Sequence, residues 1–180
     1  MHASVCDYIT DLVQNSIEAG ASQIELEVYT GPEAVRVSVS DNGKGMDDAT
    51  LDKAIDPFFS EDGKHDHRRV GMGLPLLYQT AEAVNGTVEI QSTPGKGTKV
   101  GFAFDANHPD TPPLGDLTGT VIGMMTFSEK FDLKLIRRSP KDEYGISRVE
   151  LTDVLGNLEE STNIILAKDF LKAQEDNLIL

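Results

Sequence analysis

Two stretches of strict alternation constrain this chain more than anything else in it. Ile24, Leu26 and Val28 interleave with Glu25, Glu27 and Tyr29, and Val35, Val37 and Val39 with Arg36, Ser38 and Ser40. A two-residue period places every other side chain on one face, so each run reads as a strand with one buried side. Thr30-Gly31-Pro32 supplies the turn between them. A sheet with one apolar face must be covered, and the flanking sequence carries the cover. Before the first strand, Val5, Ile9, Leu12, Val13, Ser16 and Ile17 recur at three- and four-residue steps, a helix from about Val5 to Ala19 that Gly20 stops. Beyond the second, Leu74, Leu77, Ala81 and Val84 trace another helical face, with Pro75 in its first turn and Gly86 closing it. Val88 and Ile90, then Val100, Phe102 and Phe104, read as two further strands. The expected fold class is α+β: a two-layer α/β sandwich with a mixed, mostly antiparallel sheet and helices on one face.

From Asp105 the character changes. Residues 105–119 contain Pro109, Pro112, Pro113, Gly115 and three aspartates, and read as a linker or crossing loop between a domain of residues 1–104 and an extension of residues 120–180. The extension shows three β-like runs, Thr120–Phe127, Phe131–Arg137 and Gly145–Leu151. The last two are expected to pair through the Pro140–Tyr144 turn, and a helix is expected around Phe170 and Leu171. Such a β-rich extension continues the sheet, builds a small accessory lobe, or offers a dimer or partner surface.

Charge narrows the function. Thirty acidic against sixteen basic residues give a formal net charge of −14, spread over both parts of the chain. That field repels nucleic-acid phosphates, which argues against a duplex-binding role. No apolar run is long enough for a membrane span, and no basic region followed by an apolar one marks a secretory signal. The single Cys6 rules out an intramolecular disulfide framework and suits a reducing, cytoplasmic setting.

Four short motifs carry chemistry. Asp11, Asn15 and Glu18 stand at i, i+4 and i+7 of the first helix and so share a face. A carboxylate beside an amide oxygen suits Mg²⁺, and a second carboxylate can position a water; a solvated polar stripe answers the same spacing. Asp41-Asn42-Gly43-Lys44-Gly45-Met46 directly follows a strand. It reads as an Asn-Gly turn, or as a loop whose glycines admit a flat ligand while Asp41 accepts a hydrogen bond from it. Gly71-Met72-Gly73-Leu74 opens the second helix, where unpaired N–H groups seat an anion. Ahead of it Lys64, His65, His67, Arg68 and Arg69 form a basic island, either a solvated loop or a lid over that anion. Between the last two strands of the first domain, Thr93-Pro94-Gly95-Lys96-Gly97-Thr98 lacks the spacing of a Walker A loop and also serves as a hairpin turn. Phe58 and Phe59, within Asp56–Ser60, read as packing rings.

In this order the motifs resemble the ATP-binding domain shared by DNA gyrase, heat-shock chaperone ATPases, histidine kinases and MutL-type mismatch-repair proteins, the GHKL superfamily with its Bergerat fold. The likeness covers about residues 4–104. It implies that Asn15 binds Mg²⁺ bridging the phosphates, and that Asp41 bonds the adenine amino group with Thr98 assisting through water. It further implies that Gly43, Gly45 and Met46 shape the adenine wall. Gly71, Met72, Gly73 and Leu74 would cradle the phosphates, and Lys64, Arg68 and Arg69 would sit in the ATP lid. Asp11 falls where hydrolysing members carry a general-base glutamate, one methylene longer.

Histidine kinases need a phosphoacceptor histidine on a preceding helix pair, whereas only Met1–Ser4 precede the first helix here, so the expected form is a stand-alone one. The resemblance implies a Mg·ATP-dependent switch or slow ATPase with ATP and Mg²⁺ as its cofactors. A protein kinase of the anti-sigma-factor type is the alternative. A nucleotide-free interaction module is disfavoured by the intact Asn15, Asp41 and glycines. The partner it implies is another protein, redox- or hydrogenase-associated in some related short proteins, with a homodimer allowed and neither nucleic acid nor membrane expected.

Overall fold

The computed structural model describes residues 3–56, 73–127 and 130–179. The chain begins with helix α1 (Val5–Glu18), followed by the antiparallel pair β1 (Gln23–Thr30) and β2 (Ala34–Asp41). Helices α2 (Asp48–Ile55) and α3 (Gly73–Ala83) lead to the pair β3 (Thr87–Thr93) and β4 (Gly97–Asp105). The C-terminal part adds α4 (Leu117–Met125), β5 (Asp132–Arg138), β6 (Glu143–Ser147), α5 (Arg148–Leu155) and α6 (Ser161–Ile179). These strands form a single mixed sheet in the order β3-β4-β2-β1-β5-β6, antiparallel except where β1 meets β5. The expected two-layer α+β sandwich is the observed one.

Register turns the alternating pattern into a core. Leu26 lies opposite Val39 on one side and Leu135 on the other, Val39 faces Val100, and Val37 faces Phe102. One row of aliphatic and aromatic side chains therefore crosses the central strands, and all of these residues are buried. α1 covers that row with Val5, Ile9, Leu12 and Val13. Tyr8 packs edge-on against Phe102 and Phe104, and its hydroxyl meets Thr80 Oγ1 at 2.6 Å, which ties α1 to α3. Burying each aliphatic side chain of this kind contributes about 1.5–3 kcal/mol.

Of the expected linker 105–119, residues 106–116 cross from the end of β4 past the start of α1, and 117–119 already belong to α4. The Pro113 and Leu114 carbonyls accept from the Val5 and Cys6 N–H groups at 2.8 and 3.0 Å. Those N–H groups belong to the first turn of α1, which lacks intrahelical partners, so the crossing loop satisfies them.

Two local expectations are corrected. Thr120–Phe127 is not a strand: α4 runs from Leu117 to Met125, with Asp116 as its N-cap accepting from Gly119 N–H at 2.8 Å. A short, uncharged run rich in apolar residues lacks the periodicity that separates helix from strand, and burial of Leu117, Val121, Ile122, Met124 and Met125 favours the helix. The run Gly145–Leu151 is part strand and part helix, because Ser147 ends β6 and begins α5. Ser147 N–H donates to Glu150 Oε2 at 2.7 Å while Glu150 N–H donates to Ser147 Oγ at 3.1 Å, a capping box. Helix α2 answers no expectation drawn from the sequence. Asp47 caps it through Thr50 N–H at 2.8 Å, and none of its residues is fully buried, so it has only a weak apolar face. The pairing of the second and third runs through the Pro140–Tyr144 turn and the C-terminal helix are as expected.

The inward position beside Val28 is held by an arginine. Arg137 is 2% exposed, and its Nε donates to both carboxylate oxygens of Glu175 on α6, at 3.0 and 3.2 Å. Its terminal nitrogens donate to the Val28 and Arg138 carbonyls and to Thr30 Oγ1. Tyr144 on β6 donates to Glu175 Oε1 at 2.6 Å. A buried cation is tolerable only when its donors are satisfied, as they are here.

Candidate functional site

The site forms where α1, the turn after β2 and the start of β4 converge on one carboxylate. Asp41 is the last residue of β2 and is part-buried. Ser16 Oγ donates to its Oδ2 at 2.8 Å, while Gly43 N–H and Thr98 N–H donate to its Oδ1 at 2.8 and 3.3 Å. Three donors from three segments fix the plane of the carboxylate, and among the described residues Oδ2 receives one hydrogen bond. The arrangement presents an oriented acceptor, the chemistry needed to recognise an amino group.

The two glycine loops around it are packed against each other. Gly45 has φ +64° and Gly97 φ +111°. A Cβ on Gly45 would overlap the Thr93 carbonyl, and one on Gly97 would overlap that of Asp41. Gly95 N–H donates to the Lys44 carbonyl at 2.7 Å, and Met46 N–H to Ser92 Oγ at 2.8 Å. Ser92 Oγ also meets Thr98 Oγ1 at 2.8 Å. The Gly43–Met46 wall thus leans on the Thr93–Thr98 turn, and the glycines are needed for that contact between backbones. Asn42 fastens the other side, its Oδ1 accepting from Ser22 and Gln23 N–H at 2.9 Å each.

The polar face of α1 behaves as the spacing predicts. Asn15 and Glu18 are exposed and Asp11 is half-buried. Asp11 lies at the N-terminus of α3: a Cβ built on Gly73, the first residue of that helix, would stand 2.9 Å from Asp11 Oδ2. One end of the site is therefore the Asp41 carboxylate and the other a helix N-terminus flanked by Asp11. Leu74 is buried against the core and anchors the first turn of α3. Phe58, Phe59, Lys64, His65, His67, Arg68, Arg69, Gly71 and Met72 lie outside the described residues.

Two serines escape a reading of motifs. Ser16 sits in the apolar stripe of α1 and reads there as a tolerated small residue. Its signal is a hydroxyl at a position otherwise reserved for Ile, Leu and Val, and it is 3% exposed with its Oγ 2.8 Å from Asp41 Oδ2 and 3.2 Å from the Leu12 carbonyl. Ser92 bridges Met46 and Thr98 from β3, and nothing in its local sequence marks it.

An oriented carboxylate between a helix and two glycine turns, on a two-layer sandwich, is the arrangement against which known families are to be compared. The family model for histidine kinase-, DNA gyrase B- and HSP90-like ATPases matches residues 4–108. The chain belongs to this family. The sensor histidine kinase YxdK of Bacillus subtilis (strain 168) is 31% identical over 100 residues, covering 53% of this chain and 31% of that protein. The anti-sigma F factor of Thermoanaerobacter sp. (strain X514) is 28% identical over 97 residues, 54% of this chain and 62% of that one. The chain thus matches less than two thirds of the length of either relative. Among solved structures, the N-terminal domain of a DNA repair protein aligns with a TM-score of 0.55 and 17% identity, covering 86% of this chain and 57% of that chain. That coverage is too long to be confined to residues 4–108, so the fold likeness continues into the C-terminal half.

Proposed function

We propose that the site around Asp41 binds Mg·ATP, and that bound nucleotide serves as a switch read by a protein partner or is slowly hydrolysed. The observation that carries this is the convergence of Ser16, Gly43 and Thr98 on Asp41. It orients a carboxylate acceptor toward a ligand donor, and the adenine amino group is such a donor. In this reading Thr98 assists Asp41, and Gly43, Gly45 and Met46 form the adenine wall. Phosphates meet the α3 N-terminus at Gly73 and Leu74, preceded by Gly71 and Met72 and by the lid cations Lys64, Arg68 and Arg69. Among the described residues no group of three or more His, Cys, Asp or Glu side chains gathers to hold a metal. Mg²⁺ suits this donor set because it retains waters and phosphate oxygens and needs few protein ligands. Asn15 would hold it by its amide oxygen, one helical turn from Asp11, and the ion would neutralise phosphate charge.

Isothermal titration of the chain with Mg·ATP tests the reading. Asp41→Asn removes the ionised acceptor and is expected to weaken binding about tenfold to hundredfold, the range for one hydrogen bond to a charged group. No heat at millimolar nucleotide, or equal affinity in the variant, would sink it.

A second reading is a protein kinase of the anti-sigma-factor type, favoured by the likeness to the anti-sigma F factor over 62% of that protein. Transfer of labelled γ-phosphate to a partner serine separates it from the switch. Asp11→Ala is then expected to lower transfer about 10²–10⁴-fold, the usual contribution of a general base, while leaving nucleotide affinity within about threefold. Unchanged transfer in the variant would remove Asp11 from the reaction.

A further inference from the structure

Outside this site, a groove of about 330 Å³ runs between α1 and α4. Val13, Gln14 and Ile17 line one wall; Gly123, Met124 and Phe127 line the other. None of its lining residues carries a charge. Phe127, at one end, is 67% exposed. Gly123 lies inside α4, where glycine weakens a helix relative to alanine, yet no atom lies within 4 Å of a Cβ built there. No neighbour in the described fold requires that glycine, and the space above it is open.

The two helices run in the same direction, because the Val5 and Cys6 N–H groups bond Pro113 and Leu114 just ahead of α4. The groove therefore has defined ends. Two carboxylates border it, each bonded to a lining residue: Asp116, the α4 N-cap, accepts from Gly119 N–H at 2.8 Å, and Glu18, the last residue of α1, accepts from Gln14 Nε2 at 3.0 Å. Both carboxylates belong to exposed residues. The α1 wall extends from Thr10 to Ile17, about 10 Å at 1.5 Å per residue, or two turns of a helix laid along it.

We propose that this groove docks an amphipathic α-helix of a partner protein, with an apolar stripe of two to three turns and Lys or Arg at both ends. The apolar lining takes the stripe, open space over Gly123 admits a close-lying backbone, and the acidic ends take the cations. A second copy of the chain would bring a further −14 against the same acidic ends, so charge complementarity selects a basic partner over self-association.

The test uses the full chain without nucleotide, so its outcome is independent of ATP binding. A fluorescein-labelled helical peptide with leucines at i, i+3, i+4 and i+7 and lysines at both ends is titrated by anisotropy, beside the same peptide carrying glutamates. The lysine peptide is expected to bind, the glutamate peptide not, and Gly123→Leu to weaken binding about tenfold or more by filling the groove. Gly123→Leu enters the open groove without a clash, keeps the charge and removes a helix-weakening glycine, so a melting midpoint equal to or above the parent's shows it folded; Phe127→Ser provides a second loss at the same site. Absence of lysine-peptide binding, equal binding of both peptides, or indifference to Gly123→Leu and Phe127→Ser overturns the proposal. So does a dimer in sedimentation that Gly123→Leu dissolves, which would make the second copy the occupant.

Discussion

Glu175→Ala is expected to destabilise the fold by about 3–5 kcal/mol, the usual cost of removing one partner from a buried ion pair. Arg137 is 2% exposed, and among the described residues its Nε has Glu175 alone as acceptor. Without that carboxylate a guanidinium remains charged among Val28, Leu135 and the end of α6, since arginine does not deprotonate. The Tyr144 hydroxyl loses its acceptor in the same substitution. Chemical denaturation should show a lower midpoint with an unchanged slope, while Glu175→Gln, which keeps an acceptor, should lose less. A midpoint within experimental error of the parent would mean that α6 is not fastened by this pair. Tyr144 adds a pH signature. Burial, then the hydrogen bond to Glu175 and the negative charge of that residue, hold its hydroxyl well above the ordinary 10.0. The folded state therefore binds this proton more tightly than the unfolded chain. The resulting stabilisation is complete below pH 10 and declines as pH rises above it, and Tyr144→Phe should remove that decline.

What was legible in the sequence follows from what repeats. The strands around Leu26 and Val37 declare themselves because an alternating pattern can bury only one face, and the pairing of Leu26 with Val39 and Val37 with Phe102 is what that pattern demands. The helix of Asp11, Asn15 and Ser16 is equally plain from its spacing. The α4 helix was not legible, because Thr120–Phe127 is short, carries no charge and has no clear period to read. Its decisive signal lies outside the run, in the Asp116 cap. Arg137 was illegible for another reason. Its place in the inward row beside Val28 follows from register with β1, but its partner comes from a helix 38 residues further along the chain. Local sequence cannot supply a contact of that separation.

The site divides in the same way. Asp41 and its glycines stand in a recognisable order, whereas the hydroxyls that orient the carboxylate come from elsewhere in the fold. Ser16 looks like part of a core stripe until the helix is laid over the end of β2. The C-terminal part shows the opposite balance: its hairpin was readable, but its attachment to β1 as a parallel neighbour depends on a crossover through α4. A parallel pairing needs such a connection, and its strand partners are not adjacent in sequence.

Gly97→Ala is expected to be the most damaging single-methyl change at the site. At φ +111° an alanine is outside the region open to L-residues, a strain of about 1–3 kcal/mol. The added methyl would also overlap the Asp41 carbonyl, with Asn42 Cα 2.9 Å away. Both contacts are backbone, so the relief must come from moving the end of β2, and with it the carboxylate that Ser16 and Gly43 hold. The combined loss should exceed about 3 kcal/mol, in the range of overpacked and strained sites. Gly95→Ala, two residues away in the same turn, is the control. Its φ is +73° and nothing lies within 4 Å of the added carbon, so only the left-handed penalty of about 1–2 kcal/mol applies. Denaturation midpoints of the two variants distinguish overlap from conformational strain. If Gly97→Ala costs no more than Gly95→Ala, the close approach of the β4 turn to Asp41 does not hold the site together. If it costs far more and also abolishes Mg·ATP binding while Gly95→Ala retains it, the turn is what holds Asp41 in place.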